Sequence, residues 1–235
     1  MFNGANTVPI TNRLIVGRGW GQGPTHSQNL QALFSHIPGL KVIMPSTTYD
    51  AKGLLLSSIF DNDPVIFIEH RWLYNQIGVV PEGDYRIPIG KANVINKGND
   101  ITIVSMSYMT IEAMRIIELL SEHNISCELI DLRSIKPIDS KAIISSVNKT
   151  GNLLVLDTAN RFASVSSEII TFVVEECFSK LKQSPRRITL PDFPVPTSPG
   201  LTENFYPKSN EIIKEISVML SKKINLPEKF DDFKH

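Results

Sequence analysis

The stretch "SQNLQALFSHIPGLKVIMPSTTYDAKGLLLSSIFDNDPVIFIEH", residues 27–70, decides the fold. Leu30, Leu33, Phe34 and Ile37 fall at helical spacing, and "LKVIMP" follows as a short apolar strand. "TTYDAKGLLLSSIFD" reads as a second helix and "PVIFIEH" as a second buried strand. Near-continuous apolar strands alternating with helices mark a parallel sheet covered on both faces. "VPITNRLIV", just upstream, adds a strand.

Downstream the pattern pauses and then resumes. Residues 72–100 are rich in Gly, Pro, Asn and Asp and read as a crossover linker with short extended pieces. From Ile101 the order is strand ("ITIVSMS"), helix ("TIEAMRIIELLSEHN"), strand ("ISCELIDL"), then helix ("DSKAIISSVNKTG"). Asp139 or Ser140 suits its N-cap and Gly151 its C-cap. "NLLVLDTA", "SVSSEIITFVVEECFSKL", "RRITLPD" and "NEIIKEISVMLSKK" add strand, helix, strand, helix, before a polar tail. The class is α/β in two units. The first holds only three strands and two helices, so a larger chain or another subunit is expected to complete its sheet.

Composition narrows the function. In 235 residues, 24 basic side chains balance 24 acidic ones, which argues against a nucleic-acid surface. No apolar run approaches the length of a membrane span, and "MFNGANTVPI" is not a secretory signal. Cys127 and Cys177 lie in apolar patterns and read as reduced core residues, the alternative being a disulfide or metal pair, and the chain is expected to be cytoplasmic.

"GRGWGQGPTHSQNL", from Gly17, fits neither register of a dinucleotide fingerprint and lacks a P-loop ending. Alternating glycines give a loop whose backbone can approach something bulky. Pro24 and Thr25 are expected to open a helix with His26, Ser27 and Gln28 in its first turn, where the positive helix end favours neutral imidazole. Such a histidine can move a proton at neutral pH, or can be a plain surface residue beside a flexible loop.

The run from "GQGPTHSQNLQALFSHIPGLKVIMP" to "FIEHRWLY", with "IPIGKANV", "CELIDLRSIKPID", "SVNKTG" and "DFPVPTSPGLTENFYP", closely resembles the β subunit of thiamine-diphosphate-dependent 2-oxo acid dehydrogenases, the E1 family related to transketolase. The resemblance implies a truncated pyrimidine-binding domain followed by a transketolase C-terminal-like α/β domain. The expected boundaries are residues 1–78, a linker 79–100, and 101–235. It implies thiamine diphosphate shared with an α subunit that holds most of the diphosphate and Mg²⁺, a second β subunit, and acyl transfer to lipoyl-E2. His26 would line the channel and orient or protonate the decarboxylated intermediate, with Ser27 and Gln28 as its neighbours or merely helix-start residues. Ser58, Asp61 and Asp63 fall on a monovalent cation site of branched-chain-type members, which suits K⁺; the alternative is a polar turn. Asp131 and Arg133 are expected to form a structural pair or an interface contact, and Glu69, His70 and Arg71 a polar strand end or subunit contact. His36 and His123 are given no role.

The family's activating glutamate and its pyrimidine-stacking aromatic lie upstream of the matched segment, and Glu69 matches another part of the pattern. "LDTANRFASVSSEI" also departs from a more glycine-rich family segment. Three readings follow: the C-terminal portion of an E1 β subunit, a non-catalytic interaction subunit, or half of a split transketolase-like enzyme.

Overall fold

The computed structural model describes residues 6–18, 22–202 and 205–225. Gly19 and Gly21 of the glycine-rich stretch, the segment before residue 6 and the tail from residue 226 lie outside the described residues.

The first sheet runs in the order β1 (Thr11–Val16), β3 (Val65–His70), β2 (Lys41–Ile43), β7 (Ser134–Lys136). The first three strands are parallel; β7 is antiparallel to β2 and comes from the second half of the chain. Three strands were expected, and the fourth is contributed from far downstream in the sequence. Met44 N–H donates to the Arg133 carbonyl at the entry to this pairing, at 2.8 Å. Arg133 itself sits at φ +56°, a left-handed turn that swings the chain from β6 (Cys127–Asp131) into β7.

Side chains alternate across these strands, so each face has its own packing. Ile43, Val65 and Phe67 point one way and meet Leu54 of α3 (Thr48–Ile59) and Ile87 of the linker. Val42, Met44, Ile66 and Ile68 point the other way and merge with Val104, Met106, Leu132, Ile143 and Val147 of the second unit. The two units therefore share one core. Strand β1 is the exception: on this edge strand Ile15 is about half exposed, as are Val8 and Ile10 of the segment leading into it.

The second sheet runs β4 (Asn93–Asn96), β6, β5 (Ile101–Ser105), β8 (Leu153–Asn160), β9 (Arg186–Leu190), with only β4 antiparallel. Helix α4 (Tyr108–Glu122) and the helix Ser209–Leu220 cover one face, while α5 (Ser140–Thr150) and α6 (Val165–Cys177) cover the other. Asp139 Oδ1 accepts from Ala142 N, and Gly151 closes α5 at φ +73°, where a side chain would be strained. Both cysteines are buried and unbonded to each other. No described helix is long and apolar enough to cross a membrane.

Candidate functional site at the seam between the two units

Strand β1 exits through Gly17, at φ +77°, with its α-carbon pressed on the His70 ring. A Cβ there would overlap the imidazole, so only glycine allows this approach. Trp72 N–H donates to His70 Nδ1 at 3.3 Å, which fixes the ring's orientation. The next residue, Arg18, donates its backbone N–H to the Tyr206 hydroxyl at 2.9 Å and its guanidinium to the Thr197 carbonyl at 3.2 Å. Gly23, at φ +58°, lies against the Thr197 side chain. The two flanks of the glycine-rich loop thus form one wall with Thr197 and Tyr206, from far downstream in the chain.

Behind that wall stands an aromatic cluster from three chain regions. Trp72 and Tyr206 have ring centroids 4.5 Å apart, and His70 and Tyr108 4.6 Å apart. Burial pushes the Tyr206 hydroxyl up to about 12 and Tyr108 well above its ordinary value, so both stay neutral.

His26 does not open a helix. It is the last residue of a four-residue turn, α1 (Gly23–His26), and α2 begins only at Gln31 (Gln31–His36). The helix-start argument for neutral imidazole therefore does not apply. Burial alternates through the intervening stretch: His26, Gln28 and Leu30 face out, while Ser27, Asn29 and Gln31 are buried. Of the three, Gln31 meets polar groups of the other unit. Gln31 Nε2 donates to Asp157 Oδ1 at 3.0 Å and to Thr158 Oγ1 at 2.9 Å at the end of β8.

Asp61 and Asp63, just past the end of α3, do gather around a lysine, but Ser58 does not join them. Lys41 Nζ lies 2.7 Å from Asp61 and 3.0 Å from Asp63. Ser58 turns its hydroxyl back to the Leu54 carbonyl, and its own carbonyl accepts from Thr11 Oγ1 at 2.8 Å. Burial alone would lift the Asp61 carboxyl, but the Lys41 ammonium outweighs it and holds it below the usual range. The ammonium already neutralises the two carboxylates expected to hold K⁺. Lys41→Met should therefore make thermal stability depend on the monovalent cation, with K⁺ raising the melting temperature by a few degrees over tetramethylammonium. A melt indifferent to the cation would remove the site from consideration.

Asp131 and Arg133 do not form the expected side-chain pair. The Arg133 guanidinium reaches across the seam to Asp50 of α3 at 2.8 Å. Asp131 instead accepts from the Arg133 backbone N–H at 3.2 Å and lies fully buried beside Asp50. Glu69 takes a bidentate bond from Arg13, at 2.8 and 2.9 Å, and a third from the Tyr74 hydroxyl at 2.6 Å. Every carboxylate side chain from the start of the sequence to Glu69 is thus ion-paired: Asp50 with Arg133, Asp61 and Asp63 with Lys41, Glu69 with Arg13.

Sequence reasoning missed Asp157, Asp50 and Tyr206. Only Asp157 carried a signal, being a carboxylate inside the apolar run "LLVLDTA". Among the described residues no cluster of His, Cys, Asp or Glu could hold a metal ion.

The chain belongs to the transketolase family. Residues 90–212 match the transketolase C-terminal domain and residues 2–76 the transketolase pyrimidine binding domain. It is 42% identical to an acetoin:2,6-dichlorophenolindophenol oxidoreductase subunit beta of Cupriavidus necator, over 90% of this chain and 63% of the relative. It is 41% identical to a pyruvate dehydrogenase E1 component subunit beta of Staphylococcus aureus, over 90% of this chain and 65% of that relative. The chain thus spans just under two thirds of these relatives. Among solved structures, a split-gene transketolase described as an inactive beta4 tetramer shares the fold, with a TM-score of 0.72 at 20% identity, over 94% of this chain and 71% of that one.

Proposed function

We propose that this chain serves as the β-subunit portion of a thiamine-diphosphate-dependent 2-oxo acid dehydrogenase E1, acting with an α subunit and a second β subunit in the cytoplasm and passing an acyl group to lipoyl-E2. The observation that carries the reading is the wall at the seam. Two motifs of the resemblance converge through Arg18, Thr197 and Tyr206, next to the stretch that presents His26 outward. The identities to E1 β subunits support it.

Thiamine diphosphate, when bound, supplies a thiazolium carbon able to stabilise the carbanion left by decarboxylation. The described residues fit the wall of such a site and not its activation. A carboxylate must be free to bond the aminopyrimidine, and Glu69 is saturated by Arg13 and Tyr74. No step through the cofactor is therefore assigned to this chain. Its own residues do two things: Gly17, Arg18 and Gly23 pack one side of the seam, and His26 presents an exposed imidazole beside it. Mg²⁺ is assigned to the α subunit, and K⁺ awaits the Lys41 variant.

Reconstitution of the full chain with an E1 α subunit, thiamine diphosphate and Mg²⁺ tests the reading. Pyruvate, branched 2-oxo acids and acetoin would be offered in turn, with dichlorophenolindophenol reduction and lipoyl acylation as readouts. In a competent complex His26→Ala should lower lipoyl acylation by about 10²-fold or more while the thermal melt stays in place. Unchanged acylation would remove His26 from the reading. The paired carboxylates favour a second reading, a non-catalytic subunit, which the absence of turnover with every substrate would support. Turnover of a ketose donor instead would favour the split transketolase-like reading.

A further inference from the structure

In the second sheet the chain leaves β5 toward β6 on one side, whereas β8 leads to β9 on the other. Helices α4 and α6, which follow β5 and β8, lie on opposite faces. The carboxyl ends of β5 and β8 therefore flank a topological switch point, the place where open α/β sheets form a crevice. Ser107 and Tyr108 follow β5 there, and Asp157 and Thr158 lie on β8 just beyond its pairing with β5. In this chain the crevice is entered by a side chain of the other unit, Gln31.

We propose that the switch-point crevice is an internal socket for the Ser27–Gln31 stretch, and that Asp157 is a positioning residue that sets where His26 stands. Asp157 is fully buried, and both of its oxygens accept directional bonds. Oδ1 accepts from Gln31 and from Ala159 N–H at 3.0 Å, and Oδ2 accepts from Ser166 N–H at 2.9 Å at the start of α6. Those backbone bonds hold the carboxylate still, so the oxygen offered to Gln31 is preorganised. Ser27 Oγ and both amide atoms of Asn29 are buried with no partner among the described residues. Among those residues, Gln31 therefore makes the only side-chain hydrogen bonds from this buried triplet to the second unit. A glutamine suits this position because its amide donates to the carboxylate and the Thr158 hydroxyl without adding charge to a buried site.

The significance for His26 rests on the proposed function, whereas the socket itself does not. Hydrogen exchange of the full chain tests the socket. Gln31→Met keeps the side chain's length and removes both bonds. Amide exchange across residues 22–31 should rise about tenfold or more, while exchange in β3 and β8 and the melting temperature stay near wild type. Exchange unchanged at 22–31, or raised equally throughout the chain, would overturn the proposal. Should the methionine variant fail to fold, Gln31→Asn, shorter by one methylene, carries the same reading. In the reconstituted enzyme, Gln31→Met should lower acylation in a wild-type background but not in His26→Ala. If His26→Ala is silent while exchange at 22–31 still rises in Gln31→Met, the socket stands and the catalytic reading falls.

Discussion

Gly17→Ala should lower the melting temperature by about 10 °C and loosen the seam between the two units. Two costs add. A left-handed backbone carrying a Cβ costs about 1–2 kcal/mol, and forcing a methyl into a filled space costs about 1–3 kcal/mol more. Each kcal/mol corresponds to about 2–4 °C in a chain of this size. Gly39 is the matched control: it also has positive φ, at +87°, but nothing lies within 4 Å of an added Cβ. Gly39→Ala should show the backbone cost only. The difference between the two variants isolates the His70 contact. Because Arg18 follows Gly17 directly, the methyl should also disturb the Arg18–Tyr206 bond, readable as faster exchange at the Arg18 amide. Equal effects of the two substitutions would show that the ring moves aside freely.

Asp131→Asn should stabilise the chain, and the gain should depend on pH. Burial first, and the neighbouring Asp50 second, push the Asp131 carboxyl from 3.8 up to about 7, against the opposing pull of Ser46, the Arg133 amide and the Arg133 guanidinium. Between about pH 4 and about pH 7 the folded chain keeps a proton that the unfolded chain has released. Wild-type stability should therefore fall across that window, at no more than about 1.4 kcal/mol per pH unit, and level off above it. Asparagine is neutral throughout and retains a carbonyl oxygen for the Arg133 N–H. Measured by urea unfolding, the variant should match wild type near pH 4 and exceed it by a few kcal/mol at pH 8. A variant equally destabilised at every pH would show that Arg133 supports a charged Asp131 instead. Asp50 takes the Arg133 guanidinium, while Asp131 takes only the Arg133 backbone N–H, and that arrangement makes a neutral Asp131 the cheaper state.

Much of this fold was legible because its signals are local. The run 27–70 has the periods of helix and strand, and Gly151 ends α5 because a left-handed cap needs no Cβ. The helix expected through His26 failed at residues 27–30 for a tertiary reason. Ser27 and Asn29 are drawn inward beside the Gln31–Asp157 contact, and neighbouring residues in sequence do not encode that partner. Strand β7 was unreadable for a similar reason. The run Ser134–Lys136 in "RSIKPID" is too short for its alternation to mark a strand, and its pairing depends on the Arg133 turn and the edge of β2. At the candidate site, the sequence placed His26 and the carboxylates of the α3 turn, but not the cations that claim those carboxylates. Lys41 precedes Asp61 by the whole of α3, and Arg133 belongs to the other unit from Asp50. Ion pairs over such separations have no periodicity to betray them.

The loan of β7 also has a consequence for biosynthesis. On the ribosome, β1, β2 and β3 emerge early, yet the flank of β2 stays bare until residues 134–136 have been made. At about 5–20 residues per second, that interval is roughly 5–20 s. For that time the nascent chain carries an unsatisfied ribbon of main-chain donors and acceptors. Chaperones that shield such ribbons would meet this polypeptide during its translation, rather than after release.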